Sequence, residues 1–180
     1  MKSDTLVSFV VDPAPSALSA DDPSDQRFMQ LAVNASSDAV DAGDMPFGAV
    51  LVKAGAVLQV SRNRQRTANA GRGDSTAHAE VVLIHEAAAA HGPSALVGAT
   101  VYASGEPCAM CSGALFWAGV SRVVYAASTP DIIAVLGGPE LRARCAEVLG
   151  NAKPAIVVEG PVLHDAAVAV LRAAAGKLAG

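Results

Sequence analysis

Thr76-Ala77-His78-Ala79-Glu80 and Glu106-Pro107-Cys108-Ala109-Met110-Cys111 are the two stretches on which the reading of this chain turns. His78, Cys108 and Cys111 offer one imidazole and two thiolates, three of the four ligands that Zn²⁺ normally takes. Structural zinc sites close with four protein ligands, whereas catalytic ones leave a position for water. Glu80, two residues beyond the histidine, supplies a carboxylate that need not bind metal and is placed to move protons. A CxxC alone is shared with redox and structural sites, and an HxE alone is a common triplet. Together, in this order and each at an expected helix start, they form a specific signal.

The surrounding pattern supports those helix starts. The chain is expected to enter a helix at Ser24, running through Phe28, Leu31, Ala35 and Ala39 to about Gly43. Phe47–Val52 and Ala56–Val60 read as paired strands across the turn Lys53-Ala54-Gly55. A polar loop over 61–76 follows; its Gly71-Arg72-Gly73 lacks the strand–loop–helix context of a phosphate loop. A helix is expected from Thr76 to His91, a strand over 99–104, and a second helix opened by Pro107, where the missing N–H of proline costs nothing. A strand over 122–128, a helix over 139–149, a strand over 155–159 and a helix over 163–175 complete the pattern. Alternating strands and helices predict an α/β layered fold whose later strands are parallel, because helices connect them. Residues 24–180 are expected to form one domain behind an irregular arm over 1–23, where Leu6–Val11 could add a strand.

Composition narrows the function. The chain has 180 residues and is 52% hydrophobic, with a mean hydropathy of +0.36. Much of that is alanine, and no apolar run approaches the ~20 residues that span a bilayer. Ser3, Asp4, Ser8 and Asp12 interrupt the N-terminal apolar residues, so no secretory signal is expected. The three cysteines leave no disulfide framework once two are assigned to metal; Cys145 reads as an inert packed thiol. A cytoplasmic location is expected. A net charge of −4 with 13 Lys+Arg disfavours a long nucleic acid as partner, and Arg62, Arg64, Arg66 and Arg72 read as a solvated loop.

Chemistry then follows from the residue types. Cys108 and Cys111, three apart, share one face of a helix start, where free N–H groups and the helix dipole lower a thiol's pKa. Zinc held there lowers the pKa of its water to about 7. The resulting hydroxide would attack the amidine carbon of an aminated heterocycle, with Glu80 carrying the protons. A closed structural zinc site would need His85, His91 or His164 as the fourth ligand. That alternative makes the chain a non-catalytic, zinc-stabilised interaction domain.

Zinc nucleobase deaminases carry this H-x-E … P-C-x-x-C order. With Met45-Pro46-Phe47-Gly48-Ala49-Val50 and Ser112-Gly113-Ala114-Leu115-Phe116-Trp117-Ala118 added, residues 28–125 resemble the cytidine and deoxycytidylate deaminase superfamily, in particular its guanine deaminase and tRNA adenosine deaminase branch. The resemblance implies a three-layer α-β-α fold with a mixed five-stranded sheet and helices on both faces. It also implies a homodimer with sites near the interface. Carried over by position, His78, Cys108 and Cys111 are zinc ligands and Glu80 the proton shuttle. Asn63 holds the base through its amide, Phe47 forms an apolar wall, and the Ala79 N–H meets the base's carbonyl. Phe116-Trp117-Ala118 is closer to the guanine deaminase pattern, with Trp117 a substrate contact. Asp131 or Glu140 could provide the second carboxylate that some guanine deaminases use. Ser75 and Gly105 depart from the family pattern, and the loop after Asn63 is a few residues longer. The implied partner is a small heterocyclic base or nucleoside. Guanine is the expected substrate; isocytosine, ammeline, a nucleoside and tRNA adenosine are the alternatives.

Overall fold

Ala54 and Gly55 both adopt left-handed backbone conformations (φ 49° and 75°), the requirement of a two-residue hairpin turn. The turn joins β1 (Gly48–Lys53) to β2 (Ala56–Arg62). A computed structural model describes residues 23–178; the expected arm, with its Leu6–Val11 strand, lies outside them apart from Pro23. The remaining strands are β3 (Thr100–Gly105), β4 (Arg122–Ala127) and β5 (Val157–Glu159). They form one sheet of order β2-β1-β3-β4-β5, antiparallel on both sides of β1 and parallel from β3 to β5.

Strand alternation builds two cores. Val50, Val52, Tyr102 and Val124 face α1 (Pro23–Asp41), which contributes Phe28, Met29 and Ala32, and α7 (His164–Leu178), which contributes Val168 and Leu171. Ala49, Leu51, Val101 and Val123 point the other way, onto Leu83 and Ala87 of α3 (Ala79–His91), Leu115 of α4 (Ala109–Trp117), and Cys145 and Leu149 of α6 (Cys145–Leu149). Helices on both faces of a mixed sheet give the three expected layers. No helix among the described residues is long and apolar enough to cross a membrane.

Several boundaries differ from the sequence reading. Ser24 lies inside α1 rather than before it. The polar loop contains a single turn, α2 (Ala68–Gly71), whose Asn69 and Ala70 are left-handed. Pro107 precedes α4 by two residues, because Cys108 in an extended conformation is the N-cap. The helix expected over 139–149 forms only as α6. A helix not foreseen, α5 (Thr129–Leu136), precedes it, started by Ser128 and Asp131, which hydrogen-bond reciprocally as a capping box. Gly137 and Gly138 then take positive φ values of 65° and 98°, ending the helix and sending residues 139–144 along in irregular conformation.

Under the first core lies a buried polar knot. Arg122 on β4 donates to both carboxylate oxygens of Asp25 at 2.9 and 2.6 Å, Tyr102 donates to the same carboxylate at 2.5 Å, and Glu159 accepts from Arg122 Nε at 2.6 Å. The knot ties α1 to three adjacent strands, with one guanidinium shared between two carboxylates.

Candidate active site

His78 and Cys108 occupy the same place in their local structures. Each is an extended N-cap residue (φ −65°, ψ 154° and φ −66°, ψ 172°), of α3 and α4 respectively. Upstream of His78, the Asp74 side chain accepts from the N–H and hydroxyl of Thr76 at 2.8 and 2.7 Å, and this turn sets the angle at which the chain enters α3. Cys111 falls in the first turn of α4 and points with Cys108 toward His78. His78 Nδ1 lies 3.8 Å from Cys108 Sγ and 3.6 Å from Cys111 Sγ.

Ligand atoms of these three residues all lie within 4.8 Å of one another, close enough to hold a metal ion, and no other such group occurs among the described residues. One imidazole and two sulfurs suit zinc, with a fourth position to spare. Among themselves the groups trade protons. A hydrogen bond from the Cys111 thiol, helped by His78, holds Cys108 down at about 4. The Cys111 thiol, which donates that bond in a buried position, is pushed up, and His78 is raised chiefly by its bond with Cys108. Zinc takes thiolates and neutral imidazole, so loading the site releases protons.

None of the histidines considered for a closed shell is near. His91 Nε2 contacts the Leu58 carbonyl at 3.0 Å, His164 pairs with Asp131 and Asp165, and His85 lines a separate small cavity with Arg64 and Asp74.

Glu80, only 7% exposed, lines one cavity of about 750 Å³ together with His78 and Cys108. Burial pushes its carboxyl above the usual range, in the direction a proton carrier at neutral pH needs. The opposite walls are apolar: Phe47, Ile132, Ile133 and Leu136. Gly105 is what lets two of these close in, since a Cβ there would stand 3.0 Å from both the Phe47 ring and Ile132 Cδ1. Glu140, on the irregular stretch after α5, also lines the cavity.

Other expected residues lie elsewhere. Trp117 does not line the cavity: it is 85% exposed at the last turn of α4, roughly 14 Å along the helix axis from Cys108, beside Phe116 (ring centroids 5.1 Å). Asp131 does not line the cavity, because its carboxylate caps α5 and pairs with His164 Nε2 at 3.2 Å. Ala79 is buried at the first position of α3, where a backbone N–H has no partner within the helix. Asn63 is fully buried and does not line the cavity, whereas Gln65 does.

Two further residues were missed in the sequence. Gln65 is one. Glu106 is the other: its buried carboxylate accepts from the Thr129 N–H (2.9 Å) and hydroxyl (3.0 Å), from Arg144 Nε (2.8 and 2.7 Å) and from the Cys145 N–H (3.2 Å). Burial alone would raise this carboxyl, yet Arg144 and Thr129 hold it low. It pins the start of α5 and of α6 to the segment entering α4, fixing the far wall of the cavity relative to Cys108.

The comparisons with known proteins agree with this geometry. Residues 22–127 match the family model described as the cytidine and deoxycytidylate deaminase zinc-binding region. A guanine deaminase of Bacillus subtilis is 42% identical over 107 residues, 59% of this chain and 66% of that protein. A tRNA-specific adenosine deaminase of Agrobacterium fabrum is 41% identical over 62% of this chain and 71% of its own length. The first of these is thus matched over slightly less than two thirds of its length. Among solved structures, a guanine deaminase from Nitrosomonas europaea superposes with a TM-score of 0.68 at 29% identity, over 84% of each chain. A variant solved with 8-azaguanine superposes at a TM-score of 0.69 and 28% identity over 85% of each chain.

Proposed function

The chain belongs to the cytidine and deoxycytidylate deaminase family, and from that premise we propose that it hydrolyses guanine to xanthine and ammonia, with Glu80 as the proton carrier. The observation that carries this reading is the position of Glu80, a buried carboxyl with a raised pKa on the wall of the cavity that His78 and Cys108 also line. Zinc held by His78, Cys108 and Cys111 would acidify a water molecule enough for attack at neutral pH. Glu80 accepts that water's proton on its carboxylate and passes it to the ring nitrogen beside the aminated carbon. The second proton would come from the hydroxyl added to that carbon and pass through Glu80 to the amine nitrogen, so that the C–N bond breaks and ammonia leaves as the ring carbonyl forms. Phe47 provides a flat apolar face for the base, and the Ala79 N–H and the Glu140 carboxylate are the polar groups offered to its edge.

A free base is favoured over an anticodon loop by the state of the nearby arginines. Arg62 is paired with Asp44 at 3.0 Å, Arg64 with Glu86 at 2.5 Å, and Arg66 and Arg72 turn to backbone carbonyls. None is left as a free strip for phosphates, and Glu140 adds negative charge to the cavity wall. The similar guanine deaminases support the same choice. Thiolate ligands suit a reducing compartment such as the cytoplasm. A homodimer is part of the proposal, built through the face of α4 that leaves Met110 38% and Trp117 85% exposed. Ammonia release measured across guanine, isocytosine, ammeline, adenosine, cytidine and an anticodon stem-loop tests the substrate: guanine should lead, and turnover of the stem-loop alone would reassign the enzyme.

A further inference from the structure

We propose that Gly105 sets how much room the apolar wall of the cavity leaves, and thereby selects a two-ring base over a one-ring base. The proposal rests on the deaminase reading of the cavity. Gly105 ends β3 with a negative φ, a conformation open to any residue, so what the glycine supplies there is space. A Cβ added to it would stand 3.0 Å from Cδ1 and Cε1 of Phe47 and 3.0 Å from Cδ1 of Ile132. All three residues line the cavity. The ring and the isoleucine methyl therefore lie back against a bare strand end.

Neither side chain has another place to go. The Phe47 backbone is tied on both sides, its N–H donating to the Met45 carbonyl at 2.8 Å and its carbonyl accepting from the Asn63 N–H at 2.9 Å. Ile132 rides on α5, whose first turn is held by the Ser128–Asp131 cap and, through Thr129, by the Glu106 carboxylate. Packed core lies behind them, Phe47 resting against both hydrophobic clusters and Ile132 against the first. A close-packed interior yields toward open space, so a methyl group at position 105 drives both side chains into the cavity. Glu80 and His78, on the side facing this wall, hold the reacting carbon. Guanine and isocytosine present the same amino-lactam edge and differ by the fused imidazole, which lies away from the aminated carbon. That second ring is the part of the base that meets the apolar wall.

The test is the ratio of kcat/KM for guanine to that for isocytosine, measured on the zinc-loaded protein. The wild type should favour guanine, and Gly105→Ala should lower the ratio by about tenfold or more. A variant that merely folds less well loses both activities alike and leaves the ratio where it was. Ile132→Val removes the Cδ1 that the new Cβ crowds, so G105A/I132V should raise the ratio by about threefold or more over G105A. If G105A turns over neither base, the same comparison is read by calorimetry with hypoxanthine and pyrimidin-4-one, which keep the rings and lack the amine. The variant should then lose about tenfold more affinity for hypoxanthine than for pyrimidin-4-one. An unchanged ratio in G105A, no recovery in the double variant, or a wild type that favours isocytosine would overturn the proposal while leaving the deaminase reading in place. Ammonia from neither base with zinc-loaded wild type would sink the guanine reading, and the role of Gly105 with it.

Discussion

His78 Nδ1 lies 3.8 Å from Cys108 Sγ although thirty residues separate them in sequence, and each residue caps the helix that follows it. Two helix mouths converge, so the ligand atoms sit where backbone N–H groups and helix dipoles favour thiolate. Placing the ligands at caps, on helices packed together on one face of the sheet, ties their spacing to the fold.

The closeness of α1 to β1 depends on one missing side chain. A Cβ at Gly48 would stand 2.3 Å from the Ala32 carbonyl and 2.6 Å from the Ser36 nitrogen, both backbone atoms that cannot swing away. Gly48→Ala should therefore destabilise the protein by about 3 kcal/mol, the upper range for overpacking, seen as a lowered midpoint in urea unfolding.

The buried knot at Arg122 sets an acid limit. Burial would raise the Asp25 carboxyl, but hydrogen bonds from Arg122 and Tyr102 outweigh it and hold the group below its ordinary value of 3.8. A carboxyl depressed by folding stabilises the protein above that value, and the stabilisation fades as pH falls through the folded pKa. Asp25→Asn should cost about 3 kcal/mol at pH 7 by leaving Arg122 with Glu159 as its remaining anion, and should flatten the loss of stability below about pH 4. Urea unfolding from pH 7 down to 3 checks both.

Cys145 is fully buried beside the Glu106 knot, and burial pushes its thiol to about 11. The zinc-loaded protein at pH 7.5 should give no alkylation at Cys145 with iodoacetamide until it is unfolded, as read by peptide mass mapping.

Trp117 is the chain's single tryptophan, so its fluorescence reports on the exposed end of α4. In a homodimer through that face its emission should be blue-shifted and shielded from acrylamide, shifting to the red on dilution below the dissociation constant. Trp117→Glu should yield a monomer by sedimentation. Red emission independent of concentration would remove α4 as the interface.

What could be read from the sequence was what depends on local chemistry. The group of His78, Cys108 and Cys111 that could hold a metal ion is legible because its donors recur at helix-start spacing, and the sheet and its helices follow from alternation and caps. Trp117 misled because an apolar residue's burial depends on what packs against it, and in α4 the last turn runs out past the core. The short helix α5 was missed although Ser128, Pro130 and Asp131 mark a helix start, since eight residues give little periodicity. Gln65 had no signal of its own. It reaches the cavity because the loop after Asn63 folds back through left-handed Asn69 and Ala70 to the Ser75 carbonyl, an arrangement no spacing rule expresses.

Ammonia released from guanine by zinc-loaded wild type and by Glu80→Gln, with zinc measured in both, tests the central claim most directly. The account predicts stoichiometric xanthine and ammonia from the wild type, a fall of about 10²–10⁴ in kcat in the variant, and equal zinc in the two proteins. Turnover by Glu80→Gln at the wild-type rate, with zinc in place, would contradict it.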